Sequence, residues 1–157
     1  MKIYSLSDYI VTINIKDIDS NLSQLVGETI SIGGEGSYVG SISLKYLNNN
    51  GMYNIDADDT GSYIYNRSLN LSGQIDISLN QMSPAAAKLR TIFNYYLYQD
   101  LLNPFTITLS QSNTDGTQTK ISNMIDCMIT SLPEQKYESS AGMQTWSIQC
   151  GKLIFVD

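Results

Sequence analysis

Histidine is absent from this chain of 157 residues, and tryptophan, proline and cysteine occur only one, three and two times. Without histidine, the ordinary general base near neutral pH and the commonest metal ligand are both missing. The carboxylates fall on turns or on the polar side of strands, beside no flanked nucleophile. The expectation is a non-enzyme with no catalytic residue, no cofactor and no metal. Charge is scarce as well: Asp, Glu, Lys and Arg make up 15% of the chain, the net charge is −6, and the basic residues are scattered singly. That disfavours attractive binding to a nucleic-acid backbone. No apolar run approaches the roughly 20 residues of a membrane span. Nothing near the N-terminus has the charged, apolar and small-residue order of a signal peptide, so the expected compartment is a cytoplasm. There Cys127 and Cys150, both on the buried parity of their strands, are expected as free thiols, and two cysteines without histidine make no zinc site. The Asn-Xaa-Ser triplets at Asn21, Asn66 and Asn70 then fit glycosylation sequons by chance.

Ser, Asn, Thr, Gln and Tyr carry the solubility instead, and the length suits one domain, residues 1–157, with a real core. The most regular stretch is Ser68–Asn80, where Leu69, Leu71, Ile75, Ile77 and Leu79 alternate with Ser68, Asn70, Ser72, Gln74, Asp76, Ser78 and Asn80. A strand sends these two sets to opposite faces. Burying each apolar side chain contributes on the order of 1.5–3 kcal/mol before chain entropy is subtracted, so that face must be covered. The other face holds no Lys, Arg or aromatic group. Ser83 then offers a helix cap and Pro84 fits the first helical position. Ala85, Leu89, Ile92, Phe93, Tyr96 and Leu97 follow on one helical face, in the only convincing helix of the chain.

Further strands are expected at Tyr4–Lys16, Glu28–Ile32, Tyr38–Leu44, Phe105–Gln111, Thr117–Leu132 and Met143–Val156, with a turn over residues 17–21. In Thr117–Leu132 the apolar side is Thr119, Ile121, Ile125, Cys127 and Ile129, from which Asn123, Met124 and Met128 depart. Asn113-Thr114-Asp115-Gly116 is a hairpin turn. The glycines of Gly33-Gly34-Glu35-Gly36-Ser37 lack the helix and the Lys-Ser/Thr of a phosphate cradle and read as a turn or bulge. From Lys45 to Arg67 the alternation breaks into an inserted loop. Asp56-Ala57-Asp58-Asp59-Thr60-Gly61-Ser62 opens like a calcium loop, but Arg67 falls where the bidentate Glu belongs. Tyr46, Tyr53, Tyr63 and Tyr65 in this loop either dock on a partner or fold over the chain's own core. The last residues, Leu153 to Val156, are apolar on both sides and suggest a contact through Phe155.

These features give a mainly β fold with one α-helix: an antiparallel β-sandwich or barrel subunit whose inner sheet joins its neighbours in a large ring-shaped β-barrel. Four long amphipathic strands leave open edges, and closure between copies hides them. The lumen is then lined by Asp8, Thr12 and Asn14 from the first strand and by Asn70, Ser72, Gln74 and Asp76 from the central one. Gln118, Asp126, Ser147 and Gln149 complete it from the last two. A lumen free of basic groups suits a conduit for DNA, because phosphate contacts repeated along a tube would stall passage.

The order of a Gly-rich segment (Gly33 to Gly40), an Asn-rich loop (Asn48 to Asn54), Asp58-Asp59-Thr60-Gly61-Ser62, the Gly73-centred strand and Gln81-Met82-Ser83-Pro84 before a helix resembles the small tail tube proteins of contractile-tailed bacteriophages. The resemblance covers most of the chain. It implies hexameric rings stacked into the inner tube of a virion tail, assembled in the host cytoplasm with sheath, baseplate and tail terminator proteins. Double-stranded DNA would pass the lumen without specific binding. The inserted loop, including Tyr46, Tyr53, Asp58, Asp59, Tyr63 and Tyr65, and the C-terminal Phe155 would reach the next subunit or ring. A bacteriocin or secretion tube, a single-ring terminator or adaptor, and a monomeric ligand-binding β-sandwich with a Tyr-rich binding surface are the alternatives.

Overall fold

In the computed structural model residues 5–15, 20–33, 39–48, 53–98 and 103–156 are described. Val11, Ile13 and Ile15 alternate with Thr12 and Asn14, and this period of two makes strand β1 (Tyr9–Asn14). Helix α1 (Ser20–Val26), β2 (Thr29–Gly33) and β3 (Val39–Tyr46) follow, then β4 (Tyr53–Ala57) and β5 (Tyr63–Arg67). Next come β6 (Gly73–Asn80), helix α2 (Pro84–Leu97), β7 (Phe105–Ser112), β8 (Gln118–Ile129) and β9 (Met143–Phe155). Seven strands form one antiparallel sheet in the order β2-β1-β7-β8-β9-β6-β3, while β4 and β5 pair only with each other.

The core lies on one side of the large sheet. Val11, Ile13, Ile75, Ile77, Phe105, Ile107, Trp146 and Ile148 are completely buried there, with Leu89 and Ile92 of α2 packed over them. The Ser83 hydroxyl accepts the Ala86 N–H at 3.2 Å, so the expected cap starts the helix with Pro84 at its first position. The buried stripe of α2 is Ala86, Leu89, Ile92 and Tyr96. It is turned toward Ala86 rather than Ala85, and Leu97 ends up 61% exposed in the last turn. The sheet curls around this core. Ile42 of β3, at one end of the strand order, and Leu6, Tyr9 and Leu109 line one small cavity of about 110 Å³.

Several expectations are corrected. A second helix exists: α1 buries Leu22 and Val26, spaced four apart, and touches α2, where a turn is expected over part of the same residues. The first strand begins only at Tyr9, because Ser5 accepts the Ser7 N–H and caps a 3-10 turn over Leu6–Asp8. The central strand begins only at Gly73. Ahead of it the Ser68 hydroxyl accepts the Asn70 N–H, and the Asn70 side chain accepts both the N–H and the hydroxyl of Ser72. Leu71 O and Ser72 O still accept the Leu153 and Leu47 N–H at 2.8 and 2.9 Å, so cross-strand bonds reach back to Leu71; ahead of it the local bonds compete with the ladder, and Leu69 is 74% exposed instead of buried. Gly73 is needed where the chain joins the sheet, since a Cβ there would stand 2.7 Å from Leu153 Cβ.

In β8 the pairing with β7 steps from Phe105 opposite Cys127 to Ile107 opposite Met124, so three residues of β8 answer two of β7. Asp126, with φ of 59°, absorbs the extra residue. This bulge reverses the parity. Ser122 and Met124 enter the core, Ile121 is half-buried, and Ile125 is 39% exposed rather than inward. The glycine-rich turn after Gly33 and the Asn49-Asn50-Gly51 portion of the inserted loop lie outside the described residues.

Candidate assembly surfaces

The face of the sheet away from the core is mainly polar, interrupted by Ile10, Met128 and Ile154. Its rows follow from the register. Ser31, Thr12, Thr108 and Asn123 stand side by side across β2, β1, β7 and β8, and Ser43, Asp76 and Ser147 across β3, β6 and β9. The Asp76 carboxylate accepts the Ser147 hydroxyl at 2.7 Å and the Gln74 amide at 2.8 Å, and Thr108 donates to Asn123 at 3.2 Å. Gln149 stands opposite both Gln74 and Met128. Thr12, Asn14, Gln74, Asp76, Ser147 and Gln149 therefore share the polar face of the sheet.

The other expected lumen residues are placed differently. Asp8 lies in the 3-10 turn ahead of β1, Asn70 and Ser72 in the capped segment ahead of β6, and Asp126 in the bulge. Gln118 is exposed at the entrance of β8, opposite Ser112. Thr106, Thr108, Asn123, Ser41, Ser43 and Thr145 belong to the field and were not singled out by sequence. The alternation of Phe105-Thr106-Ile107-Thr108-Leu109 already carried that signal for β7. The field also has basic members: Lys45 stands opposite Gln74 at the β3 edge and Lys120 opposite Ser110 on β8, while β1, β2, β6 and β7 carry neither Lys nor Arg.

Residues 53–67 of the inserted loop form a two-stranded hairpin, β4 with β5, all of it exposed. Its register sorts the side chains. Tyr53 opposes Arg67, Ile55 opposes Tyr65 and Ala57 opposes Tyr63 on one face, while Asn54 with Asn66 and Asp56 with Ile64 share the other. Tyr53, Ile55, Tyr63 and Tyr65 are 60–73% exposed. The hairpin thus does not fold over the core, and a protein surface rarely leaves so many aromatic groups in water without a partner. On the polar face the Asn66 amide donates to Asp56 at 2.9 Å. At the tip the Asp58 carboxylate accepts the Thr60 hydroxyl at 2.7 Å and the backbone N–H of Thr60 and Ser62 at 2.9 Å. The Thr60 hydroxyl first, then the Ser62 N–H, hold its carboxyl below the usual value. These donors make Asp58 a turn-former, and Asp59 is exposed beside it. At the hairpin's root, Tyr46 and Phe155 meet edge to face with centroids 6.0 Å apart, and the Tyr46 hydroxyl donates to Leu153 O at 3.0 Å. Two of the expected contact residues are therefore partners within one chain.

A sequence profile of the bacteriophage PhiTE tail tube protein family matches residues 5–156. The chain belongs to this family. Among curated proteins no sequence relative matches. Solved structures share the fold at low identity. A chain of the sheath/tube terminator of an extracellular contractile injection system, PVC, in its extended state superposes with a TM-score of 0.61 at 14% identity, over 100% of this chain and 99% of that one. A chain of the PVC sheath-tube complex gives 0.59 at 14% identity, covering 97% and 90%. A chain of the tube-terminating cap of the anti-feeding prophage gives 0.59 at 12% identity, covering 99% and 92%. A tail tube protein of this build is a structural component of a phage-like tail, and its antiparallel sheet with one main helix is the fold those chains share.

Proposed function

We propose that this tail tube protein forms the inner tube itself: hexameric rings stacked inside a sheath, the polar face of the seven-stranded sheet turned to the lumen, and double-stranded DNA passing through it into the host. The observation that carries this reading is the mainly polar, sparsely charged face of the sheet, with Ser31, Thr12, Thr108 and Asn123 aligned across β2, β1, β7 and β8 and Ser43, Asp76 and Ser147 across β3, β6 and β9. A solvated outer surface commonly mixes charges of both signs. Here the charged members along the register are few, Asp76, Lys45 and Lys120. Such a wall offers a polyanion little to release counterions against, so passage is not slowed by binding. The helices cover the opposite face and would point toward the sheath. Assembly in the host cytoplasm, with baseplate and terminator proteins at the two ends, completes this reading.

The exposed hairpin favours a stacking tube over a single terminating ring, because its aromatic face needs a surface on the next copy. Likeness to terminator and cap chains keeps the single ring as the second reading. Negative-stain electron microscopy of the purified protein, with solution mass recorded alongside, separates the two. Tubes many rings long support the proposal, and uniform single rings support the terminator. A monomer at high concentration that also fails to polymerise on purified baseplates overturns both.

A further inference from the structure

We propose that Cys127 and Cys150 form a peroxide-oxidisable dithiol that closes into a cross-strand disulfide between β8 and β9. The two residues are direct register partners. Residues directly opposite each other in an antiparallel pair have Cα atoms about 4.5–5.5 Å apart, inside the roughly 4.4–6.8 Å that a disulfide spans. Both belong to the core, at 0% and 5% exposure, so both side chains leave the same face of the sheet. Pairing holds them there from three directions: Ile129 with Ile148 on one side, Ile125 with Lys152 on the other, and Gly73 on β6 opposite Cys150. In a reducing cytoplasm the pair stays as the two free thiols of the structure.

The two sulfurs are not equivalent. The Cys127 thiol hydrogen, then the N–H groups of Gly73 and Lys152, pull the Cys150 thiol down against the burial that opposes them. The Cys127 thiol is pushed up, first by that same hydrogen bond and then by burial. Cys150, with its small opening to solvent, is the attacking thiolate and Cys127 the resolving thiol. The 5% exposure left to the Cys150 residue gives room for a reagent as small as hydrogen peroxide rather than a bulky disulfide. The Cys150 thiolate attacks one peroxide oxygen, the O–O bond breaks, and water leaves after protonation, giving a sulfenic acid. The Cys127 sulfur then attacks the Cys150 sulfur, the S–O bond breaks, and the hydroxyl takes the Cys127 proton as a second water. One peroxide accepts the two electrons that the two thiols lose. The bond encloses the long irregular connection of residues 130–142 between the two strands.

The test is intact-mass spectrometry of the full reduced chain after hydrogen peroxide, with denaturing alkylation, followed by thermal unfolding of the isolated subunit. The expected result is a chain lighter by two hydrogens, carrying no alkyl group, that unfolds on the order of 10 °C higher. Cys127→Ser should accumulate a sulfenic acid on Cys150 that a dione reagent traps, while Cys150→Ser should leave Cys127 reduced. Two alkylated cysteines in the treated natural chain, disulfide-linked dimers, or oxidation of Cys127 in Cys150→Ser at the rate of the natural chain would overturn the proposal. The natural-chain mass decides the matter even if a serine variant folds poorly.

Discussion

Ile77→Asp and Gln74→Lys put opposite demands on one strand. Ile77 is completely buried, opposite Trp146 on β9 and Ile42 on β3. Truncation of such a side chain to Ala costs about 2–5 kcal/mol. A carboxylate at the same place adds a buried, unpaired charge costing several kcal/mol more, against the roughly 5–15 kcal/mol that a domain holds in total. Ile77→Asp is therefore expected to yield no folded subunit. Gln74→Lys removes the 2.8 Å hydrogen bond to Asp76, about 1 kcal/mol. It returns an ammonium beside the same carboxylate, and it meets Lys45 across the ladder at a cost of roughly 0.2–1 kcal/mol. The net change is within about 1 kcal/mol. The single Trp146, sealed in the core, reports unfolding directly, so urea titration followed by its fluorescence reads both variants. An unfolded Gln74→Lys subunit, or a stable Ile77→Asp one, would refute the assignment of the two faces.

Three further outcomes follow from the geometry. Gly73→Ala drives a methyl to 2.7 Å from two carbons of the buried Leu153 and 3.2 Å from Lys45 O, so a loss of about 1–3 kcal/mol should appear as a lower urea midpoint at unchanged slope. Replacing residues 53–67 by a short Gly-Ser turn should leave subunit stability unchanged, because β4 and β5 pair only with each other, and should abolish stacking; normal tubes from that variant would end the hairpin's role. Asp58 has a lowered folded-state pKa, so its ordering of the hairpin tip is fully present above its unfolded value and is lost as pH falls through the folded one. The Thr60 and Ser62 amide resonances should shift over that acid window, and flat traces would show that the carboxylate does not hold the tip.

Much of this architecture can be read along the chain wherever one element buries one face. β6 buries Gly73, Ile75, Ile77 and Leu79 in strict alternation, and the Ser83-Pro84 start of α2 falls where capping chemistry puts it. The same logic fails where local side-chain bonds compete with the ladder. Leu69 keeps the alternation of its neighbours, yet the Asn70 side chain captures Ser72 and turns Leu69 outward. It fails again at Asp126, since a bulge needs no glycine; the departures of Asn123, Met124 and Met128 from the alternation mark the strand as irregular without locating the extra residue. Helix α1 buries two side chains over seven residues, too short a stripe to stand out. Half of the polar field was visible as alternation, but which strands stand together is set by the long-range order β9-β6-β3, which no local pattern encodes. The inserted loop is legible as Tyr-rich, whereas its division into an aromatic and a polar face depends on register.

The bonds among Gln74, Asp76 and Ser147, and between Thr108 and Asn123, make the polar side of the sheet self-engaged. Their donors already point at acceptors on the same wall. In the proposed tube, a solute passing these five residues would take a donor there by breaking an existing bond, an exchange close to neutral in free energy. Lining that tube, such a surface would act as a lubricated one: wet enough to keep its water film, yet without a foothold deep enough to hold a passing molecule at any single level.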